Sequence, residues 1–316
     1  ALYPSHHCLP AAVMSLASTL RTVTGRTALA GLALVATACS EYEFAEQDLS
    51  VQHLAETDQV ILEIDTRGLF ATKLKWGESP KFILERARDR VRRMATGERY
   101  LHLLTFPLIF DLDADVSESA PEEEPWIAPE ALVEFRNIFL KNVHVDASSA
   151  YLDAEGEVAV TQSVRLEEAT ACIAAINALI TSGVRDALKQ SDLAPKDDVL
   201  QLFESKRSRD NLRAFMDAGG DWLTLSEEQL AIRIPMTPAD VAILIKGLAG
   251  DEDGNAKALG TALLGGLDEL VLDNGVALFR FPVEKDGAIH WRYRGERNPA
   301  AKKLAAAFND AELKPQ

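Results

Sequence analysis

Cysteine is scarce: the 316 residues hold three, Cys8, Cys39 and Cys172. That excludes a disulfide-stapled scaffold and a multi-cysteine metal module. Basic residues are the minority, 33 Lys+Arg against 49 Asp+Glu, for a formal charge of −16. Phosphate backbones are bound by clustered Lys and Arg, so nucleic acid is excluded as the main partner. With 18 Gly and 13 Pro the chain is not fibrous. No Gly-x-Ser-x-Gly, P-loop, His-Glu-x-x-His, Cys-x-x-Cys or Gly-x-Gly-x-x-Gly motif occurs. What is there, 47% apolar and 26% charged residues, is the mixture of a globular protein of one large domain or two modest ones.

The first 40 residues follow an ordered pattern. Met14 is the first methionine and reads as the start, with 1–13 upstream of it. Arg21 and Arg26 are the only charges before Cys39. The run Thr27–Ala38 (TALAGLALVATA) is apolar and small, shorter than the roughly 20 residues of a membrane-spanning helix. A basic n-region, a short apolar h-region and small residues before a cut describe a secretory signal helix that is removed.

Val35-Ala36-Thr37-Ala38-Cys39 resembles the lipobox of bacterial lipoprotein signal peptides, in which an apolar residue and small residues precede an obligatory Cys. Ala36 stands where Leu is commonest in that family. The resemblance covers only Met14–Ser40. It implies that Cys39 receives a diacylglyceryl group, that the peptide is cut before it, and that the new N-terminus carries a fatty acyl chain such as palmitate. Ser40, standing where an Asp would signal inner-membrane retention, implies the periplasmic leaflet of the outer membrane or the cell surface. The physics agrees, since two or more acyl chains anchor lastingly at about 0.8 kcal/mol per buried CH₂. Without Arg21 and Arg26, the chain from Cys39 onward has 31 basic residues against 49 acidic, a formal charge of −18. Anionic headgroups repel such a body, so the lipid must do the anchoring. Cys8 then falls outside the product and Cys39 is acylated. Cys172, between Ala171 and Ile173, is left alone and reads as a small buried hydrophobe.

The expected organisation is 1–38 as upstream residues and signal peptide, 39–56 as a lipidated polar tether, and 57–316 as a globular region. A division into two lobes near 190–220 is conceivable. In that region Val60–Asp65 reads as a strand paired with Gly68–Lys75 across Thr66-Arg67. Ser79-Pro80 opens a helix that Gly97 ends. Tyr100–Phe110 reads as a buried strand interrupted at Pro107, and Ala131–Leu140 as helix or strand. Val143–Asp146 and Ala150–Leu152 alternate, and Asp153–Gly156 then turns the chain into Glu157–Ser163, a hairpin. Helices follow at Leu166–Lys189 and Asp197–Ala218, then a strand pair Trp222–Leu225 and Leu230–Ile234. Thr237-Pro-Ala-Asp240 starts another helix, and Lys257–Leu264 a short one. Glu269–Leu272, Val276–Val283 and Ala288–Arg294 form a meander, with a turn at Asp273-Asn274-Gly275, before a last helix at Pro299–Phe308. Tight turns make antiparallel pairs. The fold class is therefore α+β, antiparallel strand pairs and a meander alternating with helices after the signal helix.

Candidate chemistry is thin. Asp111, Asp113, Asp115 and Glu122 occupy positions 1, 3, 5 and 12 of an EF-hand-like frame, an arrangement that lets oxygens converge on Ca²⁺. Val116 stands where that frame's turn needs Gly, so a solvated acidic loop is the competing reading. Asp251, Asp253 and Asn255 repeat only the start of the pattern. Asp65-Thr66 follows an apolar run, but Arg67 replaces the Gly of an aspartic-protease turn, so a structural turn is expected. His144 and Asp146, two apart on a strand, share a face and could act as a general-base pair; a surface histidine is the competing reading. Trp291 and Tyr293, alternating with His290, Arg292 and Arg294, could stack on a sugar or peptide. They could equally be the inward face of a half-buried strand. The Arg-rich stretch 85–93, interleaved with Glu85 and Asp89, reads as a solvated helix face.

The expected function is a membrane-anchored envelope lipoprotein. Its body binds or scaffolds an envelope protein or ligand without catalysis or a required cofactor, and its lipid partner is the bilayer reached through Cys39. The alternatives are an envelope hydrolase assembled from distant residues, for instance around His144 and Asp146, and a carrier with an apolar cavity.

Overall fold

In the computed structural model the described residues are 42–71, 79–96, 100–103, 108–111, 129–193, 205–242, 265–308 and 313–315. The signal segment, Cys39, the span 112–128 with Asp113, Asp115 and Glu122, and the span 243–264 with Asp251, Asp253 and Asn255 lie outside them.

Alternating side chains build the larger sheet. β1 (Tyr42–Glu43), β2 (Glu46–Leu54), β3 (Gln59–Arg67) and β4 (Phe70–Ala71) come first. In β2 the odd positions Gln47 and Leu49 are buried, while Glu46, Asp48 and Ser50 lie on the opposite face. β2 and β3 form a hairpin, and β3 pairs on its other side with β8 (Val158–Leu166), itself the partner of β7 (Val143–Leu152). Two strands from the far end of the chain close the edges. β13 (Ile289–Arg294) lies antiparallel on β2, and the two-residue β14 (Lys314–Pro315) lies parallel on β7. The strand order is β13-β2-β3-β8-β7-β14.

A second antiparallel sheet has the order β11-β12-β10-β9, from β9 (Leu223–Leu225), β10 (Gln229–Pro235), β11 (Glu269–Asp273) and β12 (Val276–Pro282). Asn274 and Gly275, with φ of 49° and 79°, make the β11–β12 turn. Gly275 also permits a close approach, since a Cβ there would meet Asn211 Nδ2 at 2.7 Å. β5 (Tyr100–Leu103) and β6 (Leu108–Asp111) are a separate hairpin.

Helices α1 (Pro80–Ala95), α2 (Pro129–Asn142), α3 (Ala169–Leu193), α4 (Lys206–Asp217) and α5 (Ala301–Ala305) fill the remainder. Ser79 caps α1, accepting the Phe82 N–H at 3.2 Å. α3 is capped from outside its own segment. Asp58, at φ 50° in the β2–β3 turn, accepts the Ala169 N–H on its carbonyl at 2.9 Å and the Thr170 N–H on Oδ1 at 3.0 Å. Asn177 of α3 joins the second sheet, donating to Leu223 O at 2.9 Å and accepting the Leu223 N–H at 2.8 Å.

The larger core takes Leu49, Ile64 and Val164 from one sheet, Cys172 from α3, Leu212 and Phe215 from α4, and Ala277, Phe279 and Phe281 from the other sheet. It thus draws on residues from both sides of 190–220. A smaller core packs Ala87, Val91 and Met94 of α1 with Val158, Val160 and Leu304.

The α+β class with antiparallel sheets is what the turn pattern required. Four details differ from the expectation. Residues 46–54 are a strand, paired with β3 along its length and with β13 over 46–51, and not a tether, because Gln47 is buried with its amide donating to Thr66 Oγ1 at 2.8 Å. Val60–Asp65 pairs with β2 and β8 and not with 68–75, because Gly68, at φ 66°, sends the chain out of the sheet so that β4 pairs with β1. Asp65 and Thr66 lie within β3 and not in a turn. β13 leaves the expected C-terminal meander and pairs with β2.

Candidate functional site

One face of the six-stranded sheet carries the cores; the opposite face is polar. Cross-strand registration sets Arg292, Asp48, Asp65, Thr161 and Ser149 in one row. The next outward row holds His290, Ser50, Glu63 and Ser163, and a third holds Gln52, Ile61, Arg165 and His144. Strand periodicity puts these rows on one side, since alternate rows share a face.

The acids on this face are matched within it. Arg294 reaches Asp48 at 2.6 Å, and Arg67 pairs with Asp65 on its own strand. Tyr151, buried at 8% exposure, donates its hydroxyl to Asp65 Oδ1 at 3.1 Å. Burial first, then the Asp65 charge, pushes that phenol above its ordinary value. Ser163 donates to Glu63 at 2.6 Å, and the hydroxyls of Ser149 and Thr161 meet at 2.7 Å. Arg165 takes Asp146 in a two-pronged contact, at 2.8 Å and 3.1 Å, and also pairs with Glu167.

His144 and Asp146 are therefore drawn to different partners. A β-bulge between Val145 and Ala147 interrupts the pairing with β8 at Asp146, which turns to Arg165. His144 Nε2 lies 3.5 Å from Glu167 Oε2 instead. The expected general-base pair is not assembled: His144 Nε2 makes no hydrogen bond, and Asp146 is held by Arg165.

At one end of this sheet is a cluster the sequence reading missed. The Arg297 guanidinium contacts Glu46 at 3.0 Å, Glu157 at 3.0 Å, Glu155 at 3.4 Å and Asp153 at 4.0 Å. The Asp153 and Glu157 side chains are each only 6% exposed. The hydrogen bond to Glu46, ahead of the other carboxylates, holds this guanidinium above its ordinary range. Asp153 Oδ1 accepts the N–H groups of Glu155 and Glu157, which shapes the turn so that its acids converge.

The remaining candidates fall as follows. Trp291 and Tyr293 are 7% and 6% exposed, with Trp291 against Phe281 and Tyr293 edge-on to Phe44. Both are inward core residues and not an exposed stacking ladder, because their strand is covered on that face. His290 pairs with Asp286 at 2.8 Å, the first cause of that carboxyl lying below its usual value. Asp111 ends β6, while its proposed co-ligands lie outside the described residues. Among the described residues no group of three or more His, Cys, Asp or Glu is arranged to hold a metal. None of their helices is long and apolar enough to cross a membrane.

Cys172 is fully buried, its thiol donating to Glu167 O at 3.6 Å, and burial pushes its pKa up to about 11 from 9.0. At pH 8 that lowers the thiolate fraction about 100-fold. Alkylation of Cys172 by iodoacetamide in the folded protein is expected to be slower than in urea by at least that factor; equal rates would contradict its burial. Comparison with protein-family models, with curated proteins and with solved structures returns no match for this chain.

Proposed function

We propose that the chain is a bacterial envelope lipoprotein, acylated at Cys39, whose α+β body binds or scaffolds an envelope partner through the open polar face of its larger sheet. The observation that carries the reading is the order of Arg21, Arg26, the short apolar run Thr27–Ala38 and then Cys39. Its destination is the periplasmic leaflet of the outer membrane or the cell surface, following Ser40. Recognition fits this sheet face better than reaction. Its acids are matched to Arg or hydroxyl donors, and His290, the histidine in the row of Ser163 and Glu63, pairs with Asp286 and not with them. The face offers fixed charges and hydroxyls on a rigid sheet, which suits a polar protein surface. Metabolic labelling with palmitate is expected to mark the native chain and not Cys39→Ala; equal labelling, or none in either, would overturn the acylation.

A further inference from the structure

We propose that the surface of this body held against the bilayer is one end of the six-stranded sheet. It comprises the start of β2, the corner at Gly68, the β7–β8 turn 153–157 and the segment 295–297. The inference rests on the acylation of Cys39 argued above.

Three residue steps separate Cys39 from Tyr42. An extended chain spans at most about 3.6 Å per residue, so β1 begins within about 11 Å of the acylated residue by any path. The start of the fold is fastened on both sides. β1 pairs with β4, and Phe44, 7% exposed, sets its ring 5.7 Å from that of Tyr293. The Ala45 N–H donates to Arg67 O at 3.1 Å, and its carbonyl accepts the Gly295 N–H at 2.7 Å. Glu46 is then taken by Arg297 at 3.0 Å. Lengthening the leash by peeling this strand would break all of these contacts together, so the leash stays short.

The same Arg297 contacts bring the 153–157 turn to this end of the sheet. The opposite end, the β2–β3 turn at 55–58, lies eight residue rises further along β2, about 27 Å away. Leash length sets the attitude: the end that carries β1 begins within about 11 Å of Cys39, and the 55–58 turn lies about 27 Å beyond it. The body therefore stands on its short leash with the 55–58 turn directed away from the membrane.

The test uses the full acylated chain in vesicles of phosphatidylethanolamine and phosphatidylglycerol, about 3:1. In a Cys172→Ala background, Ala154→Cys and Ala55→Cys each place a fluorophore on an exposed turn, one at each end of the sheet. Quenching by a headgroup-nitroxide lipid is expected to be several-fold stronger at 154 than at 55. Inserting about 20 Gly/Ser residues between Ser40 and Glu41 adds a coil of roughly 25 Å and is expected to bring the two sites together. Equal quenching at native spacing, stronger quenching at 55, or a ratio unmoved by the insertion would overturn the orientation. Mass spectrometry of the N-terminal peptide separates the two failures. An unmodified Cys39 sinks both readings, whereas an acylated Cys39 with equal quenching sinks only this one.

Discussion

Asp240→Ala is expected to lower the unfolding free energy by about 2–3 kcal/mol, the cost of leaving one buried and two part-buried donors without their shared acceptor. Asp240 is 5% exposed, and its Oδ2 accepts from Ser208 Oγ at 2.7 Å, from the Thr237 N–H at 2.8 Å and from Thr237 Oγ1 at 2.7 Å. Two helix starts meet on this one oxygen. Ser205 caps α4 by accepting the Ser208 N–H at 3.0 Å, and Thr237 caps the helix that begins at Pro238. The N-terminus of α4 carries partial positive charge, about half an elementary charge, and the carboxylate meets it through Ser208. Truncation strands one buried donor, Ser208 Oγ, and two part-buried donors on Thr237. Asp240→Asn keeps an acceptor oxygen without the charge and should lose less, while Ser208→Ala removes one donor and should cost about 1 kcal/mol. Urea unfolding of the three variants measures this. A loss below about 1 kcal/mol for the Ala variant would mean that water replaces the carboxylate, contrary to the network described.

Arg297→Met is expected to cost about 2 kcal/mol. The guanidinium is itself 35% exposed, so its Coulomb energy is screened and the figure stays below that for a fully buried pair. The cost arises chiefly from Glu157 and Asp153, each 6% exposed, which would face each other and Glu46 with no cation between them. If that is the cause, removing one charge must relieve it. Arg297→Met with Glu157→Gln should recover about half of the loss, a coupling that a double-mutant cycle reads directly. No recovery would mean that Arg297 acts through its aliphatic stem and not its charge.

Where an element's signal is local, the sequence alone predicted it. The apolar spacing of Ile173, Ile176, Ile180, Val184 and Leu188 marked α3, and Asn274-Gly275 marked the turn that joins β11 to β12. Ser79-Pro80 and Thr237-Pro-Ala-Asp240 marked two helix starts through side chains that do cap. What failed was pairing at long separation. The 40–56 stretch reads as polar because Gln47 looks like a surface residue; only Thr66, 19 positions on, makes its burial tolerable. β13 resembles the third strand of a local meander, and nothing in residues 289–294 names a partner at 46–51. The Arg297 cluster was illegible for the same reason, since it joins positions 46, 153–157 and 297. Its only local trace was the acid-rich turn Asp153-Ala-Glu-Gly-Glu157, read as a hairpin and no more. The shared carboxylate of Asp240 combines two caps that were each visible singly.

The placement of β13 has a consequence for biosynthesis. β2 is among the first strands of the fold to emerge, but its outer edge is covered only when residues 289–294 arrive, some 240 positions later. Until then the six residues 46–51 present an open strand edge, an invitation to strand addition by neighbouring polypeptides. A chain cut before residue 289 would keep that edge of β2 open and is expected to aggregate more readily than the full chain.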